Sequence, residues 1–222
     1  MVSEEAVRIP AGPVAVEADL TVPEEADGIV LFAHGSGSSR FSPRNRFVAQ
    51  VLNDAGLATL LIDLLTGEEE ETDLLTRRLR FDIQLLAQRL LWATKWVGER
   101  PDLLGLRLGY FGASTGAAAA LVAASRVPDK VRAVVSRGGR PDLAGPALSA
   151  VLAPTLLIVG GYDHVVLDLN KEAMARLEAR ERELLVIPGA THLFEEEGAL
   201  EAVARAASDW FRRWLSPQDR PV

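Results

Sequence analysis

Residues 106–120 read LRLGYFGASTGAAAA, and the rest of the chain is organised around this stretch. Its first half has the continuous apolar character of a buried strand, and its second half is an alanine-rich helix. Between them lies Gly112-Ala-Ser-Thr-Gly116, a G-x-S-x-G match with Ser114 at its centre. Glycines suit such a turn, because side chains at the flanking positions would collide with the neighbouring strand and helix. The stretch predicts either a nucleophilic serine on a tight turn or an ordinary serine at a helix N-terminus.

The length and composition of the chain are those of a globular protein. It has 222 residues, of which 48% are hydrophobic and 25% charged, and we assign residues 1–222 to a single domain. The formal net charge of −7 argues against a nucleic-acid partner, since phosphate binding needs a basic surface. The acidic runs at residues 68–71 and 195–197 are interpreted as solvated loops. No feature of the sequence indicates an oligomeric state.

The residue inventory limits the chemistry and the location that we expect. The chain contains no Cys, so it offers neither a thiolate nucleophile nor a Cys-based metal site. It shows no phosphate-binding loop, dinucleotide fingerprint or metal-ligand spacing, so no cofactor is implied. Its N-terminus lacks the basic start and apolar core of a signal peptide, and no apolar run approaches the roughly 20 residues that cross a bilayer. We therefore expect a cytoplasmic protein without a membrane partner.

Apolar strand patterns alternate with helical patterns along the chain. Strands are predicted for a hairpin over residues 7–22, for residues 28–33, 58–62, 131–136, 155–159 and 183–187, and for the apolar stretch that starts at residue 106 and leads into the turn. Helices are predicted for residues 45–55, 74–99, 115–125, 170–180 and 198–215, with a polar surface loop over residues 64–73. This alternation predicts an α/β fold with a doubly wound, mostly parallel sheet. Ligands of such sheets bind beyond the carboxyl ends of the strands, where several loops converge.

Three residues on these loops have the types and the chain order of a hydrolase triad. A serine hydroxyl needs a base that takes its proton and a carboxylate that holds the base in the right tautomer. Asp163 follows one predicted strand and His192 follows the next, so the order is Ser114, Asp163, His192. This order predicts a nucleophile, an orienting acid and a general base. Asp63 and Asp142 also follow strands, and either could assist or replace Asp163.

With this triad, the chain resembles the α/β-hydrolases, and among them the small dienelactone-hydrolase-like members without a large cap. The resemblance runs from about residue 28 to the final helix and implies Ser114 as nucleophile, His192 as general base and Asp163 as its acid. Dienelactone hydrolases proper use a cysteine nucleophile, whereas this chain has Ser114, so the resemblance does not carry dienelactone over as the substrate. Residues 34–46, HGSGSSRFSPRNR, also resemble hydrolase domains that are attached to phosphoribosyltransferases in some relatives.

The loop that begins His34-Gly-Ser-Gly37 has the H-G-x-G form of an oxyanion loop. Acyl transfer places negative charge on the carbonyl oxygen, and preorganised backbone N–H donors stabilise that charge. We predict that these donors are the N–H groups of Ser36 and Thr115, with Gly37 as a second choice for the loop. His34 is expected to brace the loop rather than to act as a base.

Arginines on the same rim could bind an anionic substrate. Arg40 and Arg137 are candidates, together with the backbone of Gly37, because the guanidinium fork suits a carboxylate or a phosphate. The alternative is that these arginines are solvated and pair with the glutamate runs. His164 is expected to be a packing or surface residue.

The sequence predicts a metal-independent serine hydrolase that acts through an acyl-enzyme on a small ester, thioester or lactone. Little chain separates the strands at residues 131–136 and 155–159, so we expect no large cap and an open site. Two alternatives use the same scaffold: an acyltransferase with the same triad, and a non-catalytic binding protein. In all three cases the expected partner is a small molecule. For the hydrolase and for the acyltransferase it is an acyl substrate.

Overall fold

The computed structural model describes residues 2–217, which form an eight-stranded sheet and six α-helices. The strands are β1 (Ser3–Ala11), β2 (Val14–Val22), β3 (Gly28–Ala33), β4 (Leu57–Ile62), β5 (Arg107–Ala113), β6 (Val131–Arg137), β7 (Thr155–Gly160) and β8 (Arg182–Ile187). The helices are α1 (Pro43–Asp54), α2 (Gly67–Thr76), α3 (Ile83–Glu99), α4 (Thr115–Arg126), α5 (His164–Arg176) and α6 (Ala199–Leu215). Short 3₁₀ segments cover Leu79–Phe81, Pro101–Leu103 and Pro141–Ala150.

The strands run in the order β1-β2-β4-β3-β5-β6-β7-β8. The hairpin β1-β2 and its junction with β4 are antiparallel, and every other pair is parallel. The mostly parallel, doubly wound sheet predicted from the sequence is therefore confirmed. β5, the strand that leads into Ser114, lies near the middle of the sheet between β3 and β6.

Helices cover both faces of the sheet, so its central strands are buried on both sides. Every residue of β3, β4 and β7 is buried. One core layer contains Leu90 of α3 and Leu121 of α4, and the other contains Leu52 of α1 and Phe211 of α6. Trp210 of α6 also belongs to the second layer. Both layers reach the carboxyl edge of the sheet, where the candidate residues lie.

The acidic segment over residues 64–73 is not the surface loop that we predicted, because α2 begins within it. The Thr66 hydroxyl accepts the Glu69 N–H at 3.2 Å, and the Glu69 carboxylate accepts the Thr66 N–H at 2.8 Å. This capping box, together with acidic side chains at the positive end of the helix dipole, stabilises the first turn. Glu69 also binds the buried Arg89 of α3 at 2.5 Å, which fastens α2 onto α3.

The single helix predicted for residues 74–99 is also wrong, because two helices share this segment. α2 ends at Thr76, and Arg77 adopts a left-handed conformation with φ 54°. α3 begins at Ile83, where the Asp82 carboxylate accepts the Leu85 N–H at 3.0 Å. The apolar spacing runs on across the break, so periodicity did not reveal it.

The helix predicted for residues 170–180 lies further towards the N-terminus. α5 begins at His164, where the Leu167 N–H donates to the Asp163 carbonyl at 2.8 Å. It ends at Arg176, after which Leu177 turns to extended backbone and buries its side chain. Val165 and Val166 in its first turn have low helix propensity, which hid the start of the helix from the sequence pattern.

Two glycines allow α4 to begin directly against the sheet. A Cβ on Gly116 would lie 2.2 Å from the Ala33 carbonyl oxygen and 2.4 Å from that of His34. A Cβ on Gly112 would lie 2.4 Å from the Cα of Ala117. No side chain fits at these distances without movement of backbone, which is the reason the G-x-S-x-G pattern needs glycine at both ends.

His34 joins the loop after β3 to the loop after β4. Its Nδ1–H donates to the Gly35 carbonyl at 2.9 Å, and its Nε2 accepts the Leu64 N–H at 3.0 Å. Because an amide N–H can only donate, the contact with Leu64 fixes the tautomer of the ring. Burial lowers the pKa of His34, so the ring is neutral in the folded protein. With both nitrogens occupied, His34 braces the loop, as the sequence predicted.

Gly116→Ala is expected to lower the free energy of unfolding by about 1–3 kcal/mol, because the added methyl group meets two carbonyl oxygens of the β3 end. The matched control is Gly98→Ala in α3, where a Cβ would meet nothing within 4 Å. That variant is expected to be unchanged or about 0.5–1 kcal/mol more stable, since alanine favours helix. Urea unfolding of both variants measures the difference, and an equal effect would contradict the packing argument.

His34→Gln is expected to flatten the fall in stability between about pH 7.5 and pH 5. The pKa of His34 is lowered in the fold from its ordinary value of 6.5, so the unfolded chain binds one more proton as the pH falls through that value. The wild type therefore loses stability on the acid side. Glutamine keeps an acceptor for the Leu64 N–H but does not titrate. Urea unfolding of both proteins across this range checks the prediction, and parallel curves would refute it.

Candidate active site

Ser114 lies at the apex of the turn between β5 and α4. Its backbone has φ 50° and ψ −120°, a conformation that residues other than glycine rarely adopt. Its N–H donates to the Arg137 carbonyl at 3.2 Å, and its carbonyl accepts the N–H groups of Ala117 and Arg140, each at 3.1 Å. The side chain makes no capping bond to α4, so Ser114 is not an ordinary N-terminal helix cap. The turn instead presents the hydroxyl at the carboxyl edge of the sheet.

His192 and Asp163 are joined by a hydrogen bond of 2.6 Å between Nδ1 and Oδ2. Asp163 stands at the N-terminus of α5 but does not cap it, because its carboxylate turns towards His192. The carboxylate side chain is 15% exposed and the imidazole 39% exposed. Since the carboxylate accepts from Nδ1–H, Nε2 is the nitrogen left to take a proton. The neighbouring His164 is exposed at the start of α5, which fits the surface position considered for it.

The turn that follows β6 lies between Ser114 and His192. The Arg137 carbonyl accepts the Ser114 N–H, and a Cβ on Gly138 would lie 3.5 Å from Cε1 of His192. Gly138 has φ 50°, a conformation that glycine adopts without strain, so this residue permits the turn. Within residues 2–217 no hydrogen bond joins the Ser114 hydroxyl to His192. The structure thus brings the three predicted triad residues to one edge and joins two of them directly.

The predicted oxyanion residues lie beside Ser114. The hydroxyls of Ser36 and Thr115 are 3.3 Å apart, and a Cβ on Gly35 would lie 3.1 Å from the Cβ of Ser114. Thr115 is the first residue of α4, so its N–H has no acceptor within the helix. In the part of the chain that the structure describes, neither this N–H nor that of Ser36 donates to a protein acceptor. Two such free donors are what a developing oxyanion requires.

The two rival carboxylates are each occupied by an arginine. Arg140 donates to Asp142 through Nε and Nη2, at 2.9 and 2.7 Å. Asp63 accepts the backbone N–H of Arg40 at 2.7 Å and forms an ion pair with its guanidinium. Of the three candidate acids, Asp163 is the one that is hydrogen-bonded to the imidazole. The geometry therefore favours Asp163.

The three predicted substrate-binding residues differ in their surroundings. Arg40 is held between Asp63 and Asp19, the latter at 3.3 Å, so its charge is already neutralised by the protein. Gly37 adopts φ 68° at the tip of the oxyanion loop. Arg137 is buried at the end of β6 and has a different environment from either of these.

A narrow cleft adjoins Ser36 and Thr115 on the side of α2 and α3. Its walls include Arg80 and Asp73, which form an ion pair with Asp73 fully buried. The Asp73 carboxylate also accepts the Leu79 N–H at 2.7 Å and so fixes the turn between the two helices. Sequence reasoning missed Arg80 because it treated this segment as uninterrupted helix.

Glu196 is a second residue that sequence reasoning missed. Its carboxylate accepts from the backbone N–H and the hydroxyl of Thr191, at 3.1 and 2.6 Å. The Thr191 hydroxyl bond is the main reason that the pKa of Glu196 is lowered. These bonds close the loop that carries His192, so the interpretation of residues 195–197 as a merely solvated run is wrong for Glu196.

Two further classes of site were sought in residues 2–217. No group of three or more His, Asp or Glu side chains there is arranged to hold a metal ion. In the same residues, no helix combines the length and apolar character that a membrane crossing requires.

Three comparisons relate the chain to known proteins. The model of the dienelactone hydrolase family matches residues 16–217. A crystal structure described as dienelactone hydrolase from Anabaena variabilis ATCC 29413 is 62% identical, with a TM-score of 0.94 over 96% of this chain and 99% of that one. An α/β serine hydrolase without a lid from Xanthomonas campestris has a TM-score of 0.77 at 20% identity, over 99% of this chain and 97% of its own, a likeness of fold alone.

Two curated proteins of Mycobacterium tuberculosis, from strains CDC 1551 and H37Rv, are 62% identical over 208 residues. The match covers 94% of this chain but 46% of theirs, so the chain spans about half the length of these relatives. Both carry the provisional name phosphoribosyl transferase, which is consistent with the resemblance noted for residues 34–46. The α/β-hydrolase fold with little or no cap is confirmed by the topology and the solved structures. The chain belongs to the dienelactone hydrolase family.

Proposed function

We propose that this protein is a serine hydrolase of the carboxylesterase type, in which Ser114 forms an acyl-enzyme with a small ester, thioester or lactone. Membership of the dienelactone hydrolase family supports a hydrolase. The serine nucleophile and the type of bond that is cleaved are part of the proposal. The observation that carries them is the 2.6 Å bond between Asp163 and His192 beside a serine held at φ 50°. Such a constellation is the signature of an activated serine.

The proposed reaction begins with transfer of the Ser114 hydroxyl proton to Nε2 of His192 as the oxygen bonds to the substrate carbonyl carbon. Asp163 holds the imidazole in orientation and stabilises the imidazolium. The oxyanion accepts hydrogen bonds from the N–H groups of Ser36 and Thr115. Collapse of this intermediate breaks the bond to the alcohol or thiol, which leaves with the proton from His192.

The second half of the reaction releases the acid. His192 takes a proton from a water molecule, whose oxygen attacks the acyl carbon of the ester to Ser114. Collapse of the second tetrahedral intermediate breaks the bond to the serine oxygen, and the proton on His192 returns to it. The free hydroxyl is thereby restored, with one water consumed for each acid formed.

The cleft beside the oxyanion donors supports a small acyl group. The cleft is narrow and leaves little free space, which favours a small group over a bulky one. Leu65 and Leu86 supply apolar wall, while Glu70, Asp73 and Arg80 supply charge. Because Ser114 replaces the cysteine of dienelactone hydrolases proper, we do not propose dienelactone as the substrate.

Phosphoribosyl transfer is not proposed for this chain. The proteins that carry this name match it over 46% of their length, and the matched region is the one that the hydrolase family model covers. Ser114, His192 and Asp163 instead supply the groups that acyl transfer requires.

A fluorophosphonate probe is expected to label wild-type protein on Ser114 and to leave Ser114→Ala unlabelled. The probe reacts with a serine whose proton is removed by a neighbouring base and whose oxyanion is stabilised. Intact-protein and peptide mass spectrometry locate the label, and circular dichroism checks that the variant is folded. Folded wild-type protein that takes up no label would overturn the proposal.

Asp163→Asn is expected to lower the labelling rate and the kcat for p-nitrophenyl acetate by about 10³- to 10⁴-fold, because asparagine favours the wrong imidazole tautomer. Asp142→Asn is the matched control, since that carboxylate is paired with Arg140. We expect it to remain within about threefold of the wild type. Equal losses in the two variants would contradict the assignment of the acid.

A further inference from the structure

Arg137 ends β6 on the face of the sheet that α1 and α6 cover. Ala133 and Val135 point to the same face at alternate positions and belong to the same core layer as Phe111. Arg137 is 9% exposed, and its guanidinium lies 6.0 Å from the centre of the Phe111 ring. A permanent cation is therefore buried at the edge of an otherwise apolar layer.

This cation has no counter-ion within residues 2–217. In the described part of the chain the Arg137 guanidinium has no hydrogen-bonded or ion-paired partner, and its Nη1 is buried without an acceptor. Arg89, which is equally buried, shows the ordinary solution: it binds the Ala11 carbonyl at 2.9 Å and the Glu69 carboxylate at 2.5 Å. Buried charges are normally paired, because removal from water is costly. Arg137 departs from that rule.

A second cation, Arg44, acts on Arg137 through its charge. Burial, and then the positive charge of Arg44 in the first turn of α1, lower the pKa of Arg137 to about 10. The Nε of Arg44 is also buried without an acceptor. Its Nη1 has a long contact of 3.4 Å with Glu195, whose side chain is 66% exposed. Arg44 itself is 33% exposed, so its side chain reaches the solvent.

We propose that Arg44 and Arg137 form a binding site for a small oxyanion, a phosphate or a carboxylate group. The unused donors at Nε of Arg44 and Nη1 of Arg137 suit the oxygens of such a group. The bound anion supplies the negative charge that residues 2–217 do not provide to Arg137. Glu195 competes for Arg44 and can return to water when the anion binds.

The site adjoins Ser114 but is separate from the cleft beside the oxyanion donors. The Arg137 carbonyl accepts the Ser114 N–H at 3.2 Å, whereas its guanidinium lies on the α1 and α6 side of the sheet. The cleft lies on the opposite side, towards α2 and α3. The anion can be a free ion or a charged group of the substrate, and the second source rests on the proposed function.

Inorganic phosphate tests the site directly. Phosphate added at constant ionic strength is expected to raise the Tm of the wild type in a saturable manner, by about 3 °C at a tenfold excess over Kd. Arg137→Met and Arg44→Met keep much of the side-chain stem but remove one charge, and each is expected to lose the rise. Arg46→Met is the matched control, because Arg46 lies on the same helix but pairs with Asp19 at 2.9 Å. That variant is expected to keep the rise.

An equal rise in the wild type and Arg137→Met would overturn the proposal, because the phosphate would then bind elsewhere. Isothermal titration of the wild type with phosphate gives a test that needs no variant to fold. Saturable heat with a stoichiometry of about one per chain supports the site, and its absence overturns it.

Ester kinetics separate the two sources of the anion. If the anion is a charged group of the substrate, phosphate is expected to raise the KM for p-nitrophenyl hydrogen succinate but not the KM for p-nitrophenyl acetate. In that case Arg137→Met is also expected to lower the succinate-to-acetate ratio of kcat/KM at least tenfold. If the anion is a free ion, neither the KM for the succinate ester nor this ratio of kcat/KM changes, while the rise in Tm remains. Failure of the wild type to hydrolyse either ester would count against the proposed function and leave the phosphate titration as the test of the site.

Discussion

The backbone of Ser114 is held at a positive φ, and the arrangement of the whole site depends on this constraint. Three backbone hydrogen bonds hold it, to Arg137, Ala117 and Arg140. The same turn ends β5 and starts α4 so abruptly that Gly116 lies against the carbonyl groups that end β3. Because β5 is flanked by β3 and β6, the loops after both neighbouring strands are brought to the serine. A local strain in one residue is thus offset by packing across three strands.

The sequence predicted what depends on local pattern and chain order. Continuous apolar runs located the buried strands, and Ser114, Asp163 and His192 follow three parallel strands of one sheet, β5, β7 and β8. It failed where a side-chain contact overrides periodicity. The Thr66–Glu69 capping box makes a helix from an acidic run, and Arg77 in the left-handed region divides one apolar pattern into two helices.

In the candidate site, the sequence indicated the residue types but not the surroundings of each side chain. Residue types alone placed Ser36, Asp163 and His192 on converging loops, but they could not tell which arginines were already neutralised. Arg40 proved to be paired with two aspartates, while Arg137 has no partner in the described chain. This difference depends on tertiary neighbours that are distant in sequence. Glu196 likewise differs from its solvated neighbours only through its contact with Thr191.

In the proposed reaction, Ser114 carries the acyl group during turnover. Mass spectrometry of protein quenched in acid during reaction with p-nitrophenyl trimethylacetate tests it most directly, because the hindered acyl group leaves slowly from the enzyme. We expect a trimethylacetyl adduct on the peptide that contains Ser114, at about one per chain. Release of p-nitrophenol with the adduct on another residue, or with no adduct at all, would contradict it.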